Sequence, residues 1–179
     1  MKAEGAISIA TTRTGTKRDE LLALGSDHVI VTNEEDLVAR VKDITRGVGA
    51  RIIFDPIAGP LLDRLAEAAA IGATIFEYGW LSGAQTPFPP VPAMQKVLNI
   101  RGYWLAEITA PELLNGHAAG GLTNPERLVR AKNYVYNRVK TGQLKPKIAK
   151  TFRFEDVVEA YQYMESNEQI GKIVLTLGE

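Results

Sequence analysis

Along the first 80 residues, apolar positions alternate between short continuous runs and stripes at helical spacing. Ala6-Ile7-Ser8-Ile9-Ala10-Thr11-Thr12 is a β-branched run led by Gly5 and reads as a strand. A helical stretch from Thr16 to Leu24 follows and stops at Gly25. His28-Val29-Ile30-Val31 is a second strand. Asn33 is expected to cap the next helix, with Glu34, Glu35 and Asp36 in a first turn whose dipole favours acids. Leu37, Val41 and Ile44 are spaced for one apolar face, and Gly47 and Gly49 end that helix. Arg51-Ile52-Ile53-Phe54-Asp55 is a third strand, nearly all apolar, as a strand covered on both faces should be. A helix from about Pro60 to Ala70 leads to a fourth strand, Gly72 to Gly79. Strands separated by helices of roughly 10–15 residues mean βαβ units and a parallel sheet.

The second half is less regular. Trp80 to Pro92 reads as a loop holding Pro87, Pro89, Pro90 and Pro92, and Asn99 to Leu105 as another strand. Residues 106–123 hold Gly116, Gly120 and Gly121 without clear periodicity. Asn124-Pro125 looks like a cap with proline at the first helical position, and Leu128, Ala131, Val135 and Val139 form one stripe. Lys147 to Phe152 is strand-like, Val157, Ala160, Tyr161 and Met164 mark a helix, and Lys172 to Leu177 a final strand.

Composition narrows the function classes. The chain has 179 residues, and its 21 basic side chains balance 21 acidic ones, which argues against a broad nucleic-acid-binding face. It has no cysteine, which excludes disulfides, thiolate zinc sites and a cysteine nucleophile, and fits a reducing cytoplasm. No apolar run approaches the ~20 residues that span a bilayer, and no basic region followed by an apolar stretch opens the chain, so neither a membrane span nor a secretory signal is expected.

Several side chains invite a chemical reading and each has a plainer one. His28 follows Asp27 at a strand start, where a lone histidine is structural far more often than a ligand. His117 has no second histidine or cysteine at metal spacing. Asp55 ends the third strand, at the edge where ligands approach such sheets, or it caps the next helix. Tyr103 and Trp104 flank a ligand or pack at a subunit contact. Tyr134, Tyr136, Tyr161 and Tyr163 fall on helices and are expected to pack or face solvent. No Ser/His/Asp arrangement and no paired carboxylates facing one site are evident, so no catalytic residue is expected within the chain.

The opening is unusual for a nucleotide-binding sheet, which starts with a strand, a glycine-rich turn and a helix whose N-terminus holds a pyrophosphate. Neither GxGxxG nor GxxxxGK[ST] occurs. Either no dinucleotide binds, or the chain begins after the motif. Thr11-Thr12-Arg13-Thr14-Gly15-Thr16-Lys17-Arg18 ends the first strand, where dinucleotide folds meet the adenosine ribose. It offers four threonine hydroxyls, Arg13 and Lys17, and no acid until Asp19, which suits a 2′-phosphate. On the segment alone, a solvated basic helix start is an equal reading.

The wider pattern shifts that balance. Lys17 to Ile30, KRDELLALGSDHVI, resembles the "KR…L…LGADHVI" block of the medium-chain dehydrogenases/reductases, especially their quinone-oxidoreductase-like branch. Gly47 to Gly59, GVGARIIFDPIAG, resembles that family's "GkGarvvfDpvgG". Gly72 to Gly79, Phe152 to Asp156 with Ala160, and Ile170 to Leu175 resemble its next strand and closing blocks. Together, in order, these cover nearly the whole chain.

The resemblance implies an α/β, Rossmann-like doubly wound parallel sheet lacking the first strand and glycine-rich turn. Residues 1–146 would form a truncated NAD(P)-binding domain, and residues 147–179 a segment that in the family returns to a GroES-like catalytic domain absent here. It implies an NADPH-dependent oxidoreductase that transfers hydride to a carbonyl, enone or quinone, with NADPH preferred over NADH. Thr12, Arg13 and Lys17 would grip the 2′-phosphate. Asp55, Ile57, Tyr78 and Gly79 would line the rest of the cleft, Tyr78-Gly79 near the nicotinamide-side ribose. Zinc ligands, where the parent uses them, would lie on the absent domain. A homodimer through the edge strand near Asn99–Leu105 is expected. The alternative is a non-catalytic truncated module that dimerises and binds nucleotide weakly or not at all; another doubly wound enzyme, such as a methyltransferase, is a third reading. The segment Pro111 to Gly121 is longer than the family's usual connection.

Overall fold

A computed structural model describes residues 4–106 and 125–178, so the expected insert Pro111–Gly121, His117 and the Asn124 cap lie outside the described residues. The chain divides into two compact units, residues 1–123 and 124–179. This division falls ahead of the residue-146 boundary expected from sequence and places the helix after Asn124 with the closing segment.

Unit one alternates strand and helix as its hydrophobic pattern dictates. Strand β1 (Ile9–Thr12) leads through a 3-10 turn at Gly15–Lys17 into helix α1 (Arg18–Ala23). Strand β2 (His28–Val31) and helix α2 (Leu37–Ile44) follow, then β3 (Ala50–Asp55) and α3 (Leu61–Ala68). Strand β4 (Ala69–Glu77), helix α4 (Pro90–Gln95) and strand β5 (Asn99–Gly102) complete it. Every strand pair is parallel: β1 with β2, and β3-β4-β5 in that order. Among the described residues, β1 and β3 each have one unpaired edge.

Both sheets share one core. Ile30, Leu37, Val41, Leu65 and Ala68 form a buried cluster against which Ile9 of β1 and Ala50 and Ile53 of β3 pack. Leu62, Ala66 and Ile75 extend it towards Leu98 and Ile100. This covers one face of β3. On the other pleat Ile52 is 59% and Phe54 49% exposed, so β3 is not covered on both faces as its apolar run implied. There Phe54 stacks on Phe76, centroids 5.3 Å apart, and Tyr103 meets Phe76 edge-on.

Two local expectations are corrected. Helix α2 is capped by Asp36, whose carboxylate accepts from the Ala39 amide at 2.7 Å, not by Asn33. Glu35 turns back instead: it accepts from the Val31 amide at 2.9 Å, from Arg18 and from Arg40, tying α1, β2 and α2 together. The proline-rich stretch read as loop contains α4, with Pro90 at its start, where a missing N–H leaves no intrahelical bond unmade.

Unit two holds helix α5 (Pro125–Lys140), strand β6 (Ile148–Arg153), helix α6 (Val157–Glu165) and strand β7 (Lys172–Thr176). β6 and β7 pair in parallel across α6, burying Phe152 and Ala160. None of the described helices is long and apolar enough to cross a membrane.

Candidate nucleotide cleft at the carboxyl edge

Parallel α/β sheets present ligand sites beyond the carboxyl ends of their strands, because the loops and helix N-termini gather there. In unit one that edge carries all seven residues expected from the sequence. At the end of β1, Thr12 donates its hydroxyl to the Thr14 carbonyl at 3.2 Å, and Thr14 and Thr16 share a hydroxyl hydrogen bond at 3.0 Å. Arg13 is exposed and Lys17, closing the 3-10 turn, is half-buried. A residue that the segment's own sequence does not reveal joins them. The Glu34 carboxylate, from the β2–α2 loop, lies 3.3 Å from where a Cβ on Gly15 would stand. The basic segment therefore has an acid beside it.

At the ends of β3 and β4 the loops lock together. Asp55, 2% exposed, accepts from the Ile57 amide at 2.8 Å and the Ala58 amide at 3.2 Å. Both of its oxygens are thus used to build the loop leading into α3. The Tyr78 amide donates to the Asp55 carbonyl, Leu81 to that of Pro56, and Ser82 to that of Ile57, each at 3.0 Å. Gly79 lies so close to Pro56 that only glycine fits. Gly59 donates its amide to the Thr86 hydroxyl at 2.9 Å. Ile57 and Tyr78 keep exposed side chains on this rim.

The sequence showed no paired carboxylates; the structure has a pair. Asp55 and Glu77 are register partners on β3 and β4. Both oxygens of Glu77 are buried without a hydrogen-bond partner. Burial, and after it the charge of Asp55, raise the Glu77 carboxyl to about 7. Strand pairing between positions far apart in sequence creates this feature, so no local motif announces it.

A cavity of about 510 Å³ opens instead at the amino edge, lined by Lys42, Gly49, Arg51, Ala70, Ile71 and Lys96. Lys96 there is structural. Its ammonium donates to the carbonyls of Ala66, Glu67 and Ala69 at the end of α3. Desolvation, then the charge of Lys42, lower its pKa, and Glu67 opposes them. The carboxyl edge remains the better ligand site, since parallel-sheet geometry gathers loops and helix N-termini there.

A parallel α/β unit with a glycine-pinned, amide-lined carboxyl edge is a nucleotide-cleft architecture. Residues 24–175 match the model of a family described as zinc-binding dehydrogenase, and the chain belongs to that family, within the medium-chain dehydrogenases/reductases. It is 29% identical over 171 residues to a 2-haloacrylate reductase from a Burkholderia species, covering 96% of this chain and 48% of that protein. It is also 29% identical over 176 residues to quinone oxidoreductase 1 of Escherichia coli strain K12, covering 97% of this chain and 50% of that protein. The solved structure of Escherichia coli quinone oxidoreductase complexed with NADPH matches with a TM-score of 0.81 and 27% identity, over 98% of this chain and 51% of that one. The chain thus spans about half the length of the curated relatives it matches. Despite the family's description, no group of three or more His, Asp or Glu side chains among the described residues is placed to hold a metal.

Proposed function

We propose that this chain is the cofactor-binding part of an NADPH-dependent oxidoreductase that reduces a small carbonyl, enone or quinone. The observation that carries the reading is the carboxyl edge itself: Arg13 and Lys17 at one end, and the interlocked Asp55–Ala58 and Tyr78–Ser82 loops at the other. The relatives' reductase names, and the NADPH held by a structural neighbour, support it.

In this reading Arg13 and Lys17 meet the 2′-phosphate, Arg13 with a planar fork and Lys17 with a point charge. Thr12 orients the segment through its bond to the Thr14 carbonyl. Asp55 fixes the Ile57–Ala58 turn, and Ile57, Tyr78 and Gly79 form the rim nearest the nicotinamide end. Gly79 lets that rim close on Pro56. When bound, the nicotinamide supplies the hydride, and the chain's residues bind, orient and exclude water. In this reading the family's catalytic domain, to which residues 147–179 would return, supplies the substrate-polarising groups. We further place the protein in the cytoplasm, as a homodimer through the edge of β5, whose one described partner strand is β4.

Titration of the chain with NADPH and NADH tests the cofactor reading, with NADPH expected to bind more tightly. Sedimentation at tens of micromolar tests the dimer; a monomer there contradicts it.

A further inference from the structure

We propose that the Asp55–Glu77 carboxyl pair sets which oxidation state of the nicotinamide this cleft prefers, favouring the cationic oxidised ring over the neutral reduced one. The inference rests on the cofactor reading above and adds to it a residue, Glu77, that no sequence motif singled out.

The geometry is that of an uncompensated negative site. Asp55 and Glu77 end adjacent parallel strands in register. Side chains alternate along a strand, so the pair lies on the pleat of Ile53 and Ile75, opposite the Phe54–Phe76 stack. Asp55 is buried, and its two oxygens accept backbone hydrogen bonds from Ile57 and Ala58. Glu77 has buried both oxygens without a partner. Neither residue forms an ion pair among the described residues.

Among the described residues, the groups packed around Glu77 do not supply a cation. Its β5 register partner is Gly102. Arg101 is paired with Phe76, on the other pleat. From β5 the Tyr103 backbone amide donates to the Glu77 carbonyl at 2.8 Å, and the adjacent Tyr78 phenol is exposed. On α3 the titratable groups are Asp63, Arg64 and Glu67, and Arg64 reaches Asp36 at 3.4 Å. Asp55 is the charged group that acts on Glu77.

A charge in a poorly solvated site acts over several ångströms without direct contact. The rim residues Ile57 and Tyr78-Gly79 directly follow the pair in sequence. A nicotinamide over that rim is in its field. The oxidised ring carries a formal positive charge and the reduced ring none. Because Glu77 titrates near 7, the pair holds one negative charge below that pH and two above it. The second charge stabilises the oxidised ring. By linkage, binding the oxidised ring near neutral pH releases the Glu77 proton to solvent, whereas binding the reduced ring does not.

The test compares NADP⁺ and NADPH affinities of the chain by calorimetry at about pH 6 and about pH 8, either side of the Glu77 titration. The 2′-phosphate is common to both nucleotides, so its own ionisation cancels in the ratio. The expected result is a Kd(NADP⁺)/Kd(NADPH) ratio that falls about three- to tenfold between the two pH values. Glu77→Gln should flatten that dependence. In the native chain, buffers of different ionisation enthalpy should report more proton release with NADP⁺ than with NADPH, a readout that needs no variant. A pH-independent ratio in the native chain, or a slope that survives in Glu77→Gln, overturns the inference while leaving the cofactor reading standing. Binding of neither nucleotide at millimolar concentration overturns the cofactor reading and this inference with it.

Discussion

Gly79 and Pro56 lie in backbone contact: a Cβ built on Gly79 would stand 2.6 Å from the Pro56 carbonyl oxygen and 3.1 Å from its Cα. The contact joins the ends of β4 and β3 and fixes the rim of the candidate cleft. Gly79→Ala must therefore push two backbones apart, a change expected to destabilise unit one by about 1–3 kcal/mol. Gly102→Ala is the control, because a Cβ there meets nothing within 4 Å. Thermal unfolding of both variants checks this; equal melting temperatures would show that the two loops are not held together.

Glu77 is predicted to weaken the fold as pH rises. Its folded-state pKa, about 7, lies above the ordinary value of 4.5. Between those values the unfolded chain has released the proton and the folded chain still holds it, so stability declines through this window and levels off above pH 7. The full shift corresponds to ~3 kcal/mol. Solvent reaches part of the side chain, so about 1–2 kcal/mol is expected. Glu77→Gln should be the more stable form at pH 8 and lose that advantage near pH 4. Urea unfolding across that range tests the sign; a variant less stable at pH 8 contradicts it.

The distribution of right and wrong expectations has a physical pattern. The strand at His28–Val31 and the stripe of Leu37, Val41 and Ile44 were legible because local periodicity alone determines them. The cap at Asp36 was not, since Asn33 and Asp36 are both good caps and tertiary partners chose between them: Glu35 is drawn to Arg18, Arg40 and the Val31 amide. Those partners hold Glu35 below the ordinary carboxylate range: the Val31 amide first, then Arg18, lower its pKa against desolvation. Helix α4 was hidden because its prolines mimic a loop. The seven candidate cleft residues rest on the family resemblance, and their roles are proposals. Glu34 beside Gly15 and Glu77 beside Asp55 were not, since both arise where strands and loops distant in sequence meet.

Lys96 is predicted to be a structural cap rather than a ligand group. Its ammonium collects three carbonyls at the end of α3, where helix geometry leaves carbonyls short of partners; that of Ala66 also accepts from the Ala69 amide. Lys96→Met should cost about 1–3 kcal/mol. Lys42 lines the same cavity and is exposed, so Lys42→Met should change stability by less than roughly 0.5 kcal/mol. Denaturant melts of the two variants separate these outcomes, and equal effects would remove the capping role.

Arg13 and Lys17 are proposed to meet the 2′-phosphate of NADPH, and without a glycine-rich turn this chain is expected to bind the nucleotide only weakly. The direct measurement is a titration of the native chain and of Arg13→Ala/Lys17→Ala with NADPH and NADH. Charge-assisted hydrogen bonds contribute roughly 1.5–3 kcal/mol each, less where solvent reaches them, so the double variant should bind NADPH about tenfold more weakly or worse. NADH lacks the phosphate, and its affinity should stay unchanged, which also reports an intact fold. Equal losses for both nucleotides, or no loss for either, would contradict the assignment of this segment to the 2′-phosphate.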